Sequence, residues 1–244
     1  MPPKWSQGTI YYQIFPERFR KENPFYAPEN CVAWGSKPTA FNFMGGNLNG
    51  IRKSLSYLAE LGVECIYLNP VFASPSNHKY DTTDYYKVDP HFGSNEDLRI
   101  LVKEAHEKHI RVILDAVFNH TGTEFFAFAD LLKNQEKSEY QSWYHITCFP
   151  VREEADCYEC FFGFAGMPKL NTGNEKVQEY FLNVLEYWVR KVQVDGYRFD
   201  VIDEIDENFV LKIRDRLKRL NPELVLIGET WAEGKRLLNG CEMD

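Results

Sequence analysis

The chain has 244 residues, 44% hydrophobic and 15% aromatic, enough to bury a sizeable core as one large domain or two smaller ones. Its 28 basic and 36 acidic residues leave a formal net charge of −8, which argues against a nucleic-acid or anionic-membrane partner. No apolar run approaches the roughly 20 residues of a membrane span, and the opening MPPKWSQGTIYYQ lacks the apolar stretch of a signal peptide, so a soluble, cytoplasmic protein is expected.

TIYYQIF (9–15) reads as a strand. From Leu48, the apolar positions Ile51, Leu55 and Leu58 follow helical spacing to a stop at Gly62. VECIYLNPVF (63–72) predicts a second strand. Ser94 opens a helix with Asp97 at the capping-box position, and Leu98, Leu101, Val102 and Ala105 form its apolar stripe. IRVILDAVFNH (110–120) is the third strand, and residues 174–192 predict a helix with Val177, Tyr180, Phe181, Val184, Leu185, Trp188 and Val189 on one face. DGYRFDVIDE (195–204) is the fourth strand, a helix carries Phe209, Ile213, Leu217 and Leu220, and LVLIGETW (224–231) is the fifth strand.

Strand–helix alternation implies parallel strands joined by right-handed crossovers. Residues 121–172 break the rhythm: they are aromatic-rich and lack a clear period. They are expected to form a subdomain inserted on the C-terminal face of the sheet, dividing the chain into 1–120, 121–172 and 173–244. Within the insert, His145, Cys148, Cys157 and Cys160 have spacings that a zinc ion accepts. The preferred reading is four unrelated residues in a surface excursion.

The strands share one peculiarity. The third is apolar up to Asp115 and closes on Asn119 and His120, the fourth carries Arg198 and Asp200 on one face, and the fifth presents Glu229 just past Gly228. Buried charges are costly unless paired or used. In a parallel barrel or a doubly wound sheet these strand ends converge where active sites are built, and no Gly-rich phosphate loop follows the first strand. Two carboxylates on adjacent strand ends, one ionised and one neutral, suit glycosidic cleavage. Arg198 is expected to keep Asp200 ionised, and Glu229, less well compensated, to stay protonated.

These residues resemble the alpha-amylase family of glycoside hydrolases. DAVFNH (115–120), GYRFDVIDE (196–204) and GETW (228–231) are similar to its first three signatures, in order, and MPKLN (167–171) and SNHKYDTTDYYKVDPHFG (76–93) resemble the neopullulanase, cyclomaltodextrinase and maltogenic amylase branch. The resemblance implies a (β/α)8 TIM barrel, truncated here after the fifth strand, and a retaining hydrolase of α-1,4 and perhaps α-1,6 glucosidic bonds in maltooligosaccharides, cyclodextrins or pullulan. It assigns Asp200 as nucleophile, Glu229 as acid and then base, and Arg198 as the group orienting Asp200. Tyr80 would stack under the sugar whose bond breaks, His120 would hydrogen-bond it, Asp115 would brace Arg198, and Glu204 would touch the leaving-group sugars.

Several positions depart from the family pattern. The fourth signature, with its His-Asp pair and third catalytic carboxylate, is not found before Asp244, so open sheet edges, pairing with a second copy as a homodimer and little turnover by the chain alone are expected. Asp203 stands where the branch usually has asparagine. No cofactor is certain. Calcium is the one the family offers, but ERFRKENPFYAPEN and GGNL do not match the branch's calcium loop, and a strand-end hydrogen bond is the preferred role for Asn119. The rival readings are an oligo-1,6-glucosidase or alpha-amylase of the same family, against which MPKLN argues, and a non-catalytic binding module, against which Asp200 and Glu229 argue.

Overall fold

Apolar strands too short to stand alone acquire stability by pairing in parallel and burying one face under amphipathic helices. The computed structural model, which describes residues 1–23, 28 and 30–244, shows this arrangement. In chain order it contains β1 (Tyr11–Ile14), α1 (Pro16–Phe19), α2 (Leu48–Lys53), α3 (Leu55–Glu60), β2 (Cys65–Leu68), β3 (Phe72–Ala73), β4 (Asp84–Val88) and α4 (Asn95–Glu107). There follow β5 (Arg111–Ala116), α5 (Phe126–Asn134), α6 (Glu175–Val192), β6 (Gly196–Phe199), α7 (Glu207–Leu220) and β7 (Val225–Gly228). One five-stranded sheet has the order β1-β2-β5-β6-β7 with every pair parallel.

All five expected strands of this sheet are present, each shorter than its sequence pattern. The fourth ends at Phe199, so Asp200 lies just beyond it. The helices over Leu98–Ala105, 174–192 and 209–220 stand, opened by Ser94 in a capping box and by the side chains of Asn174 and Asp206. The helix expected from Leu48 to Gly62 is two helices. Ser54 divides it, with its hydroxyl 3.0 Å from the Gly50 carbonyl it bonds. Three features were not expected: the single-turn α1, α5, and the antiparallel pair β3–β4 formed within the 72–88 stretch.

The outer face of the sheet carries Ile66, Leu68, Val112, Leu114, Tyr197, Phe199 and Leu226, all buried in one core with the stripes of α2, α3, α4, α6 and α7. Trp188 anchors it, stacked 4.9 Å from Phe72 and donating its indole N–H to the Tyr85 carbonyl at 2.8 Å. The inner face forms layers across the strands. Gln13, Tyr67, Ile113, Gly196 and Val225 share one register, and Asp115, Arg198 and Ile227 the next. Gly196 is required in its layer, because at φ 154° a Cβ would sit 2.1 Å from the Val225 carbonyl oxygen.

The β7 edge is partly covered rather than open. Asp244 donates its N–H to Leu226 O at 2.8 Å, and its carboxylate accepts from Leu226 N, Arg214 and Lys218.

Candidate active site

Backbone pairing places the polar side chains. Asp200 N bonds Ala116 O at 3.1 Å, Glu229 N bonds Phe199 O at 2.9 Å, and Ile202 N bonds Glu229 O at 3.0 Å, so both acidic residues are fixed just past their strands. Between them Val201 adopts φ 45°, a left-handed conformation that a β-branched residue rarely holds. That turn aims the Val201 N–H at Glu229 Oε2, 3.1 Å away.

Arg198 is the hub. Its Nη1 lies 2.8 Å from Asp115 Oδ1 and 2.8 Å from Asp200 Oδ1, and its Nη2 lies 2.7 Å from Glu229 Oε2. Beneath it, Asp115 Oδ2 accepts from Tyr67 at 2.6 Å and from Tyr80 at 3.1 Å. Tyr80 in turn accepts from Asn69 at 3.0 Å, whose Oδ1 takes Gln13 Nε2 at 2.9 Å. Burial pushes the Tyr67 and Tyr80 hydroxyls up, which keeps them protonated as donors.

Three carboxylates around one guanidinium cannot all ionise cheaply. Burial opposes the charge on Arg198, but Asp115 and its neighbours more than offset this and hold it above the usual arginine range. Burial pushes the Asp200 carboxyl up to about 7, with Asp115 adding to the rise and Arg198 opposing it. Here the sequence expectation needs correction. Arg198 divides its charge among three acids, and Glu229, at 2.7 Å, is paired with it as closely as Asp200, at 2.8 Å, rather than less well compensated. The Glu229 side chain is also 32% exposed against 7% for Asp200, so solvent and ligand reach Glu229 more readily.

A cleft of about 310 Å3 opens above the hub, lined by Tyr80, His120, Arg198, Asp200 and Glu229 together with His78, Phe161, Met167, Val201 and Trp231. Its walls thus join five of the seven residues singled out from the sequence. Asp115 lies below the cleft floor. Glu204 sits in the adjoining recess with Phe162 and Trp231, paired with Lys169 at 2.7 Å. His120 stacks on Phe161 at 4.7 Å, and burial lowers its pKa to about 4, so its ring is neutral near pH 7. Its Nε2 is buried without a partner.

Sequence reading missed Gln13, Tyr67 and Asn69, although alternation along β1 and β2 places them on the inner face beside Asp115. It also missed His78, which lies beside the cleft through a loop. Of the insert's aromatics, Phe125, Phe126, Trp143, Tyr144 and Tyr158 pack against one another or the core, whereas Phe161 and Phe162 reach the site. Asp203 Oδ2 accepts from Trp231 N at 3.0 Å.

No metal site forms where the sequence suggested one. Among the described residues, the metal-ligating side chains drawn together are Glu154, Asp156 and Cys157, so the set His145, Cys148, Cys157 and Cys160 does not converge. Asn119 Oδ1 is buried and unpartnered, yet among the described residues no cluster of carboxylates surrounds it, and calcium needs 6–8 oxygens. Asn119 therefore does not fit a calcium site; it makes a strand-end hydrogen bond instead, with its Nδ2 3.3 Å from His120 Nδ1. In the N-terminal segment Glu17 accepts from Met44, Gly45 and Arg18. Residues 24–27 and 29 of ERFRKENPFYAPEN lie outside the described residues.

A family model described as the alpha amylase catalytic domain matches residues 13–237. The chain belongs to the alpha-amylase family. Among similar curated members, a cyclomaltodextrinase from Geobacillus thermopakistaniensis (strain MAS1) is 49% identical over 99% of this chain and 42% of its own length. An intracellular maltogenic amylase of Bacillus subtilis (strain 168) is 45% identical over 98% of this chain and 41% of its own length. A cyclic alpha-maltosyl-(1→6)-maltose hydrolase from Arthrobacter globiformis superposes with a TM-score of 0.96 at 36% identity, covering 100% of this chain and 55% of that one. The chain thus spans about two-fifths of the length of these curated alpha-amylase family relatives, and its five parallel strands match part of the family's TIM barrel.

Proposed function

We propose that this chain carries the catalytic centre of a retaining α-glucan hydrolase, cleaving α-1,4 and also α-1,6 bonds of maltooligosaccharides, cyclodextrins or pullulan. The observation that carries the proposal is the convergence of Asp200 and Glu229 on one arginine beneath an open cleft. Asp200 attacks the anomeric carbon while Glu229 protonates the departing oxygen. The glycosidic bond breaks, and an ester forms between the sugar and Asp200. Water, deprotonated by Glu229, then attacks the same carbon and releases Asp200. Two displacements on one carbon retain its configuration.

This sequence needs Asp200 ionised and Glu229 protonated, whereas burial holds the Asp200 proton up to about pH 7 and Glu229 Oε2 lies 2.7 Å from Arg198. Asp200 must therefore give up its proton before it attacks. Tyr80 forms a wall for the sugar ring, and the unpartnered His120 Nε2 offers it a hydrogen bond. Asp115, hydrogen-bonded by Tyr67 and Tyr80, braces Arg198. Glu204, in the recess with Phe162 and Trp231, meets the leaving-group sugars.

Residues 121–172 serve as an inserted subdomain supplying Phe161, Phe162 and Met167 to the cleft. The protein is read as cytoplasmic, in keeping with a relative named intracellular, and as able to pair with a second copy. No helix among the described residues is long and apolar enough to cross a membrane.

The test is to incubate the full chain with a fluorinated glycosyl fluoride, whose ester with the enzyme hydrolyses slowly, and to map the labelled peptide. The label belongs on Asp200. A label on Glu229, or none in protein active on β-cyclodextrin, overturns the assignment.

A further inference from the structure

The insert contains a thiol pair that the proposed reaction does not use. Its hairpin pairs Ile146 with Tyr158 in antiparallel fashion, and the amides of both Thr147 and Cys148 then donate to the Cys157 carbonyl, at 2.9 and 3.4 Å. Two residues opposing one is a β-bulge. It carries Cys148 up to Cys157 rather than to Asp156. Opposed residues of antiparallel strands have Cα atoms roughly 4.5–5.5 Å apart, inside the 4.4–6.8 Å or so that a disulfide spans. The Cys157 thiol donates to Pro150 O at 3.8 Å and to Asp156 Oδ1 at 3.6 Å, which holds it within the turn of this loop. Cys148 is exposed and Cys157 buried, so an attacking reagent meets Cys148 first.

We propose that Cys148 and Cys157 form a disulfide on exposure to a small-molecule disulfide, locking the 149–156 loop onto the strand that leads to Phe161. The Cys148 thiolate attacks one sulfur of the reagent, forming a mixed disulfide and expelling one thiolate. The Cys157 thiolate then attacks the Cys148 sulfur and expels the second. Two protein thiols are oxidised, one small disulfide is reduced to two thiols, and the two protein protons pass to the two leaving thiolates.

The order follows from the surroundings. The Arg152 backbone N–H lowers the Cys157 thiol, but partial burial, the neighbouring Cys148 thiol and the hydrogen bond to Asp156 together outweigh it, so it ends above its ordinary value. The Glu154 and Asp156 carboxylates beside its sulfur also disfavour a thiolate there. Cys157 therefore resolves the mixed disulfide rather than starting the exchange. Cys160 has no such role: its backbone pairs with Pro168 on the other limb of the insert.

The experiment equilibrates the full chain with excess oxidised glutathione, blocks free thiols, digests with trypsin without reductant and maps the products by mass. Cuts after Lys137, Arg152 and Lys169 place Cys148 on one peptide and Cys157 with Cys160 on the next. The expected result is a linked pair of these peptides that vanishes in Cys148→Ser and persists in Cys160→Ser. Cys148→Ser alters an exposed side chain, and the position of its melting transition shows that it folds. Absence of the link in the wild-type chain overturns the proposal, as does its loss in Cys160→Ser.

Discussion

The two ends of the sheet's inner face use the same strands for opposite purposes. At the N-terminal end, Cys65, Ile113 and Val225 form a small apolar cluster covered by Trp5, Tyr11, Tyr67 and Ile227. Two residues further along, Ile113 gives way to Asp115 and Gly196 to Arg198, and just past the strands stand Asp200 and Glu229. A parallel sheet makes this polarity coherent, since every strand runs the same way and the charged ends gather on one side. The lower layers hold the strands in register. The upper ones exploit that register to crowd three acids around one base, an arrangement with a cost in stability.

The sharpest way to break this contrast lies at the charged end. In protein active on β-cyclodextrin, Glu229→Gln lowers kcat about a thousandfold, as expected when a general acid and base is lost. Near-normal turnover by that variant sinks the assignment of the acid. The same substitution leaves the apolar end untouched, so the melting temperature falls little.

At the apolar end the effects reverse. Ile113 is buried among Cys65 and Val225, and Ile113→Ala removes about 3 kcal/mol of stability through lost burial and a residual cavity. Urea denaturation measures this. A loss below about 1 kcal/mol shows that the layer beneath the site is not packed as described.

A third test sets the two ends against each other through pH. The folded value of Asp200, about 7, lies above its ordinary 3.8. Between these values the folded chain binds more protons than the unfolded one, so stability falls as pH rises through that window. Asp200→Asn abolishes the fall. It gains about 4 kcal/mol at about pH 8 and little at about pH 4. Parallel pH profiles for variant and wild type refute the crowding of the three acids.

How far the sequence disclosed this arrangement depended on the kind of interaction involved. Strand and helix positions were legible because period and capping are local, as with Ser94 and Asp97 or the stripe of α6. Asp115, Arg198, Asp200 and Glu229 stood out because charges interrupt or close apolar strands. The partnership of Arg198 with Glu229 was not legible, since it depends on Val201 turning at φ 45°, a strain that tertiary contacts impose. Similarly, α5 hid among aromatics whose role as packing against Tyr140, Trp143 and Tyr180 appears only once α6 is in place. The division of the 48–62 helix at Ser54 turned on one hydroxyl bonding back to the chain.

The smallest expected effect concerns the cover of the apolar end. Trp5 lies 4.4 Å from the Arg111 guanidinium, donates its indole N–H to Glu223 O at 2.8 Å and rests on the Cys65, Ile113 and Val225 cluster. Trp5→Leu keeps an apolar side chain there but loses the cation–π contact and the hydrogen bond, for about 1–2 kcal/mol in all. Because the acids lie layers away along the strands, the pH profile of stability set by Asp200 keeps its shape and only its height falls. A change of shape means that the ends are coupled through the sheet, and that the lower layers help to set the proton held at the site.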